Sequence, residues 1–239
     1  MTDSVNFYDN WVERQFKTGI NERHLAILEH LKRFIYRQES SDILEIGCGI
    51  GTLTFLLARH FPNASLTGLD ISPQSINLAK QLLQKFKQIN FETADFINFK
   101  THQKFDYIIF PDVLEHIPLE QHETIFEKCK NILKTDGKIF IHIPDPAFLH
   151  FLNQNNDENL QPVDQPLFLD TRLPVILQHF DILYLKRYAI RDLPYDYLFL
   201  VLHHKKIKYA YQSKKLTFLQ KVKTRLQLIF INRSFRKGF

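Results

Sequence analysis

Glycine is scarce in this chain, with seven in 239 residues. Cysteine is scarcer still. Cys48 and Cys129 are the only two, so there is no disulfide framework, and no Cys/His cluster has zinc spacing. A reducing compartment follows from that usage. No apolar run approaches the roughly 20 residues that a membrane-spanning helix needs. The first residues, MTDSVNFYDNW, lack a charged segment followed by an apolar one, so no signal peptide is expected. Internal repeats and low-complexity tracts are absent as well. A cytoplasmic location is the expectation.

Hydrophobic residues make up 44% of the chain and phenylalanine alone contributes 22, enough for one sizeable packed domain. The net charge of +5 is unevenly placed. Residues 205–239 hold eleven Lys/Arg and no acid, whereas residues 1–204 hold 20 Lys/Arg against 26 acids. The body is therefore no basic platform, which makes nucleic acid a poor partner. In the tail, Leu216, Leu219, Val222, Leu226 and Ile229 fall at helical spacing with the cations largely elsewhere. That pattern fits an anchor at an anionic membrane surface, an RNA-binding arm, or a helix docked on the domain or a dimer partner.

Along the body, strand-like and helix-like segments alternate. NERHLAILEHLKRFIYR (21–37) places Ile27, Leu31, Phe34 and Ile35 on one helical face, with Asn21 as N-cap. DILEIG, SLTGLD, INFETADF, FDYIIFPD and KIFIHIPD read as strands, and helical patterns separate them. Ser72 and Pro73 mark the start of one helix, where a missing N–H costs nothing. Alternation of this length means a parallel sheet covered on both faces. Residues 146–169 show little periodicity and are expected to form a long loop. A short helix over about 171–180 follows. The closing runs DILYLKRYAI and YDYLFLVLHH leave no room for a crossover helix, so they pair antiparallel or are separated by another strand.

Three of the seven glycines, Gly47, Gly49 and Gly51, sit within five residues, directly after the first strand and before the first helix of that alternation. Open parallel sheets bind ligands at the carboxyl ends of their strands. Bare backbone there admits unusual angles and a close ligand. The spacing departs from the dinucleotide fingerprint, because Thr52 stands where its third glycine would lie. No Gly-Lys-Ser/Thr follows for a phosphate loop. Glu45, two residues before Gly47, suits a cationic ligand better than a pyrophosphate.

The stretch LEIGCGIG resembles the first motif of class I S-adenosylmethionine-dependent methyltransferases, and the resemblance covers roughly residues 40–204. It implies an α/β, Rossmann-like sheet of seven mostly parallel strands with a reversed last strand and helices on both faces. Around this core it leaves an N-terminal helical lid (1–38), a methyltransferase domain (39–204) with an acceptor-side insertion (145–170), and a basic amphipathic tail (205–239). S-adenosylmethionine is the cofactor it implies, met by Glu45, Gly47, Cys48, Gly49 and Gly51. Asp70 and Ile71 would meet the ribose, Asp95 the adenine amino group with Phe96 beside the ring, and Asp112 the methionine side. The loop DVLEHIP is similar to that of ubiquinone-biosynthesis O-methyltransferases. Its His116, and His142 of the fifth strand, are the candidates for taking a proton from the acceptor, with Asp112 and Asp145 beside them.

The expected reaction is methyl transfer to a small-molecule, sugar or lipid-linked acceptor at oxygen. The acceptor pocket would be built from the N-terminal segment, which carries Tyr8, Trp11, Arg14, Arg23 and His24, from the insertion, and from the last hairpin. The alternatives are a nicotinamide-dependent oxidoreductase and a non-catalytic module that keeps the fold. Thr52 and the final hairpin weigh against the first, and the intact glycine loop with Asp70 against the second. The oligomeric state is not written in the sequence.

Overall fold

Apolar residues two apart decide how this chain layers itself. In β4 (Phe105–Pro111), Tyr107 and Ile109 point to one face of a sheet, and Ile108 and Phe110 to the other. β7 (Tyr197–His204) repeats the pattern, with Phe199 and Val201 opposite Leu198, Leu200 and Leu202. Strands buried on both faces need helices on both faces. In the computed structural model, which describes residues 2–38, 40–155, 164–190 and 195–205, they have them.

The sheet has seven strands in the order β3-β2-β1-β4-β5-β7-β6. β1 (Asp42–Ile46), β2 (Ser65–Asp70), β3 (Ile89–Thr93), β4 and β5 (Leu133–Pro144) run parallel. β7 is antiparallel to both β5 and β6 (Phe180–Tyr188). The reversed last strand is thus inserted between its neighbours, and the two closing runs pair with one another. The winding reverses between β1 and β4, and it is there that the glycine turn lies.

On one face, α2 (Glu22–Leu31) and α3 (Thr52–His60) bury Ile27, Leu31, Leu53 and Leu57 against β1, β4 and β7. On the other, α5 (His122–Ile132) and α7 (Leu169–His179) bury Ile125, Phe126 and Ile176. α4 (Pro73–Leu82) packs Ile76 and Ala79 beside β2 and β3. Two short 3-10 turns, Leu114–His116 and Leu119–Gln121, link β4 to α5. α1 (Thr2–Thr18) precedes them all.

The caps expected from sequence are present. Asn21 accepts from the His24 N–H while His24 Nδ1 accepts from the Asn21 N–H, a reciprocal box in which histidine replaces the usual Glu. Ser72 caps α4 with Pro73 in its first turn.

Two expectations need correction. The helix expected over 21–37 stops at Leu31 and continues as turns, which still bury Ile35. The expected loop of 146–169 contains α6 (Pro146–Gln154), capped by Asp145, whose Oδ1 accepts from the Ala147 N–H. An acid cap followed by proline starts this helix just as Ser72-Pro73 starts α4. The tail, Lys205 apart, lies outside the described residues. No helix among the described residues is long and apolar enough to cross a membrane.

Candidate active site

The turn after β1 depends on its glycines. Gly47, Gly49 and Gly51 have φ of 72°, 53° and 84°, angles that side chains with a Cβ disfavour. At Gly47 a Cβ would lie 2.4 Å from Val113 Cγ2, and at Gly51 2.9 Å from Leu83 Cδ1. At Gly49 it would meet only the amide end of Gln15, which α1 lays over the turn. What covers Gly49 is thus the far end of a flexible side chain, which can move aside for a ligand.

Asp70, at the end of β2, braces this turn. One carboxylate oxygen accepts from the Gly49 N–H at 2.8 Å and the other from the Ser72 N–H at 2.9 Å. Burial raises its affinity for a proton against the pull of those two N–H groups. Each oxygen keeps a further lone pair for a ligand hydroxyl.

Glu45 and Cys48 lie behind the loop. Glu45 is 2% exposed and accepts from Thr54 Oγ1 at 2.6 Å, and burial pushes its pKa up to about 8. The Cys48 thiol packs with Ile76, Ala79 and Phe91, its pKa raised well above the usual value by burial. Both were expected to meet the cofactor, but their side chains brace α3 and the core. Phe96 likewise turns its side chain inward. Its ring is buried against Phe110, with centroids 5.6 Å apart, because the chain turns inward after Asp95. Asp95 stays half-buried, and its carboxylate holds its own turn through the Ile97 N–H and the Asn98 amide. Ile71, half-buried between Asp70 and Ser72, keeps its place beside the braced acid.

Beyond β4 the chain turns at Asp112, the one non-glycine residue at positive φ among those described (55°). Asp112 Oδ1 accepts from His142 Nδ1 at 2.6 Å. Its Oδ2 lies 3.1 Å from Arg23 Nε as a charge contact without hydrogen-bond geometry. Burial alone would raise this carboxyl, but Arg23 and His142 outweigh it and hold the pKa down at about 2. The other nitrogen of His142, Nε2, meets the Tyr188 hydroxyl at 2.6 Å, and Tyr197 stacks on the ring at 4.7 Å. His142 is 1% exposed with both nitrogens engaged.

His116 is partly exposed, with Nδ1 3.0 Å from Asp164 and Nε2 3.8 Å from Glu115. Asp164, Tyr188 and Tyr197 are partners that sequence did not single out, because each arrives from a distant segment. Asp145 stands apart from the histidines. Its buried carboxylate forms a two-point contact with Arg187, at 2.5 and 2.8 Å.

The N-terminal helices contact these elements. Asp9 accepts from Ser72 Oγ at 2.5 Å. The Tyr8 phenol is buried within the fields of Glu115, Asp70 and Asp164, which together push its pKa upward after burial itself. From α2, His24 Nε2 meets Thr52 Oγ1 at 3.0 Å. Because Nδ1 accepts from the Asn21 N–H, Nε2 carries the hydrogen and donates to Thr52. Burial and the neighbouring Arg23 hold this ring at a pKa of about 4.

Buried polar atoms without a hydrogen-bond partner concentrate here. Gln15 Oε1, Arg23 Nε, Asp112 Oδ2 and both oxygens of Glu115 are among them. Burying such atoms is costly unless a ligand meets them. A positive-φ glycine turn, a braced acid at the end of the next strand, and buried groups of both charge signs, Arg23 paired with Asp112 and Glu115 without a hydrogen bond, fit a ligand with a hydroxylated sugar and a zwitterionic end.

A family profile described as a methyltransferase domain matches residues 38–166. Over 116 residues the chain is 34% identical to the ubiquinone biosynthesis O-methyltransferase of Coxiella burnetii, covering 48% of each chain. Over 133 residues it is 29% identical to malonyl-[acyl-carrier protein] O-methyltransferase 1 of Ilyobacter polytropus, covering 55% of this chain and 46% of that one. The chain thus spans about half the length of the curated relatives it matches. Its fold is that of the N-methyltransferase NodS from Bradyrhizobium japonicum, solved with S-adenosylhomocysteine (TM-score 0.61, 20% identity, 77% of this chain and 87% of that). It is shared by the 1,6-didemethyltoxoflavin-N1-methyltransferase of Burkholderia thailandensis (TM-score 0.66, 16% identity, 86% and 87%). The matched residues run from just before β1 to just after Asp164, the part of the chain that carries the glycine turn, Asp70, Asp112 and His116, and the chain belongs to the class I S-adenosylmethionine-dependent methyltransferase family.

Proposed function

We propose that this chain transfers a methyl group from S-adenosylmethionine to a small-molecule, sugar or lipid-linked acceptor, at oxygen. The observation that carries the reading is the positive-φ glycine turn braced by Asp70, with the Glu115 carboxylate oxygens lacking a hydrogen-bond partner among the described residues nearby. Gly47, Gly49 and Gly51 would admit the cofactor to the backbone. Asp70 would take the ribose hydroxyls through its remaining lone pairs, and Asp95 the adenine edge. Arg23 and Asp112 offer one charge of each sign to an amino-acid end. The cofactor supplies an activated methyl on a sulfonium. What the protein must add is alignment and exclusion of water, which can be worth up to about 7–11 kcal/mol.

α1 and α2 serve the second task. Gln15 lies over the glycine turn, Asp9 holds Ser72 at the start of α4, and Arg23 and His24 tie α2 to Asp112 and Thr52. His116, with Asp164 against its ring, stands on the acceptor side. Acceptor oxygen is favoured because both curated relatives named above are O-methyltransferases by name. The basic tail would bring the enzyme to an anionic membrane surface, which suits a lipid-linked acceptor at the inner face.

The first test is binding. S-adenosylhomocysteine at about 100 times its Kd should stabilise the fold by about 2.7 kcal/mol, a clear rise in Tm. Methyl incorporation from labelled donor into a lysate of the source cell then identifies the acceptor. NAD binding in place of S-adenosylhomocysteine would overturn the reading. Liposome co-sedimentation of the full chain against residues 1–204 tests the tail, and equal partitioning removes the membrane role.

A further inference from the structure

Glu115 is an anomaly of this site. It is 1% exposed, and beyond a 3.8 Å charge contact with His116 Nε2 neither side-chain oxygen has a hydrogen-bond partner among the described residues. The other acids nearby are all engaged. Asp70 holds two backbone N–H groups, Asp112 holds His142 and faces Arg23, and Asp164 holds His116. A carboxylate left in this condition is expensive unless something arrives to meet it.

Its position is not an accident of a loose loop. The turn that carries it is pinned from two sides. His122 Nε2 contacts the Leu114 and Ile117 carbonyls at 3.1 and 3.0 Å. The Gln165 N–H donates to the Glu115 carbonyl, and the Gln165 amide to Ile117. The Tyr8 phenol lies within the fields of both Glu115 and Asp70. Asp70 belongs to the cofactor cradle, so Glu115 borders the space between cradle and acceptor side.

Resting on the methyl-transfer reading, we infer that Glu115 is the base that takes the proton from an acceptor hydroxyl as the methyl is transferred. The acceptor oxygen forms a bond to the methyl carbon while the carbon–sulfur bond breaks, its electron pair going to sulfur. The O–H proton passes to the Glu115 carboxylate. A sulfonium becomes a thioether and a carboxylate becomes a carboxylic acid, so one positive and one negative charge vanish together. Loss of charge is favoured where water is excluded. An amine acceptor would carry the new charge itself and need no base in that step, and a carboxylate acceptor has no proton to give. A carboxylate base beside the donor suits a hydroxyl acceptor, as the methyl-transfer reading at oxygen requires.

The groups facing Glu115 set its protonation. Burial pushes its pKa up to about 8, Asp112 adds to the rise, and His116 and Arg23 oppose it. Tyr8 of α1 and Asp164 complete the surroundings. At neutral pH without cofactor the carboxyl keeps its proton. A sulfonium held beside it favours the ionised form, and a thioether does not. Binding of the donor should expel this proton, and turnover should return one from the acceptor.

Calorimetry of the full chain reads that exchange. S-adenosylmethionine and, separately, S-adenosylhomocysteine are titrated near neutral pH in two buffers of different ionisation heat. The wild-type chain should release a proton with the first ligand and not with the second. Glu115→Gln should lose the release with S-adenosylmethionine, whatever the change in its affinity for either ligand. Infrared difference spectra of the wild-type chain supply the same answer without a variant, as loss of a protonated carboxyl band on binding the sulfonium alone. A buffer-independent heat with S-adenosylmethionine, an unchanged infrared band, or equal release in the variant overturns the role of Glu115 and leaves methyl transfer standing. Failure of both ligands to bind removes the methyl-transfer reading, and this inference with it.

Discussion

Asp112 and His142 are joined twice. The Asp112 backbone N–H donates to the His142 carbonyl at 2.8 Å, and His142 Nδ1 donates to the Asp112 carboxylate at 2.6 Å. The first contact extends the β4–β5 ladder by one residue, and the second locks the side chains across it. Asp112 is held at positive φ by this double tie, at the point where the chain leaves β4 for the turn carrying Glu115 and His116.

That tie has an acid signature. The Asp112 carboxyl is held at about 2, below its usual 3.8. A depressed folded-state value gives stability that is complete above about pH 4 and disappears as the pH falls through 2. The contribution is about 2 kcal/mol. Asp112→Asn should be less stable than the wild-type chain at neutral pH, and the difference should narrow between pH 4 and 2. Urea denaturation at stepped pH checks it.

Glu45 behaves with the opposite sign. Its folded-state value is raised from 4.5 to about 8, so its contribution is present below about pH 4.5 and is lost as the pH rises through 8. Glu45→Gln keeps an acceptor for Thr54 Oγ1 and removes the titration. The variant should gain stability over the wild-type chain as the pH climbs from about 6 to 9, read by thermal melting.

Gly47→Ala combines two costs, a positive φ and a methyl 2.4 Å from Val113 Cγ2. The expected loss is about 1–3 kcal/mol. Adding Val113→Ala should recover the steric share and leave the backbone share, so the double variant falls between wild type and single variant in denaturant midpoint.

Asp145→Ala removes the cap of α6 and the anchor of Arg187. Loss of an Asp cap costs about 0.5–2 kcal/mol. Hydrogen exchange should quicken in the first turn of α6 while β1 to β4 keep their protection.

The parallel strands and their helices were legible because alternation and capping are local. Asn21, Ser72 and Pro73 occupy the positions their chemistry demands, and the short link between the last two strands left antiparallel pairing as one of two choices. α6 escaped although its signal was present, since Asp145-Pro146 repeats the cap-and-proline grammar of Ser72-Pro73. The glycine turn and Asp70 were readable at the site because both lie at strand ends. Tyr188, Asp164 and the tie of Arg23 to Asp112 were not, because those contacts span long stretches of chain. Phe96 shows how the core competes for a side chain. Its place after β3 suggested a cofactor wall, but the core takes an aromatic ring whenever the backbone can turn it inward.

The brace that Asp70 places on Gly49 and Ser72 has a thermodynamic consequence. Both backbone amides are already oriented by a carboxylate that folding itself positions. The conformational entropy of three glycines is therefore surrendered when the chain folds, not when a ligand docks. Asp70→Ala would move that loss onto association, and weaker affinity with a more unfavourable binding entropy would be its calorimetric trace.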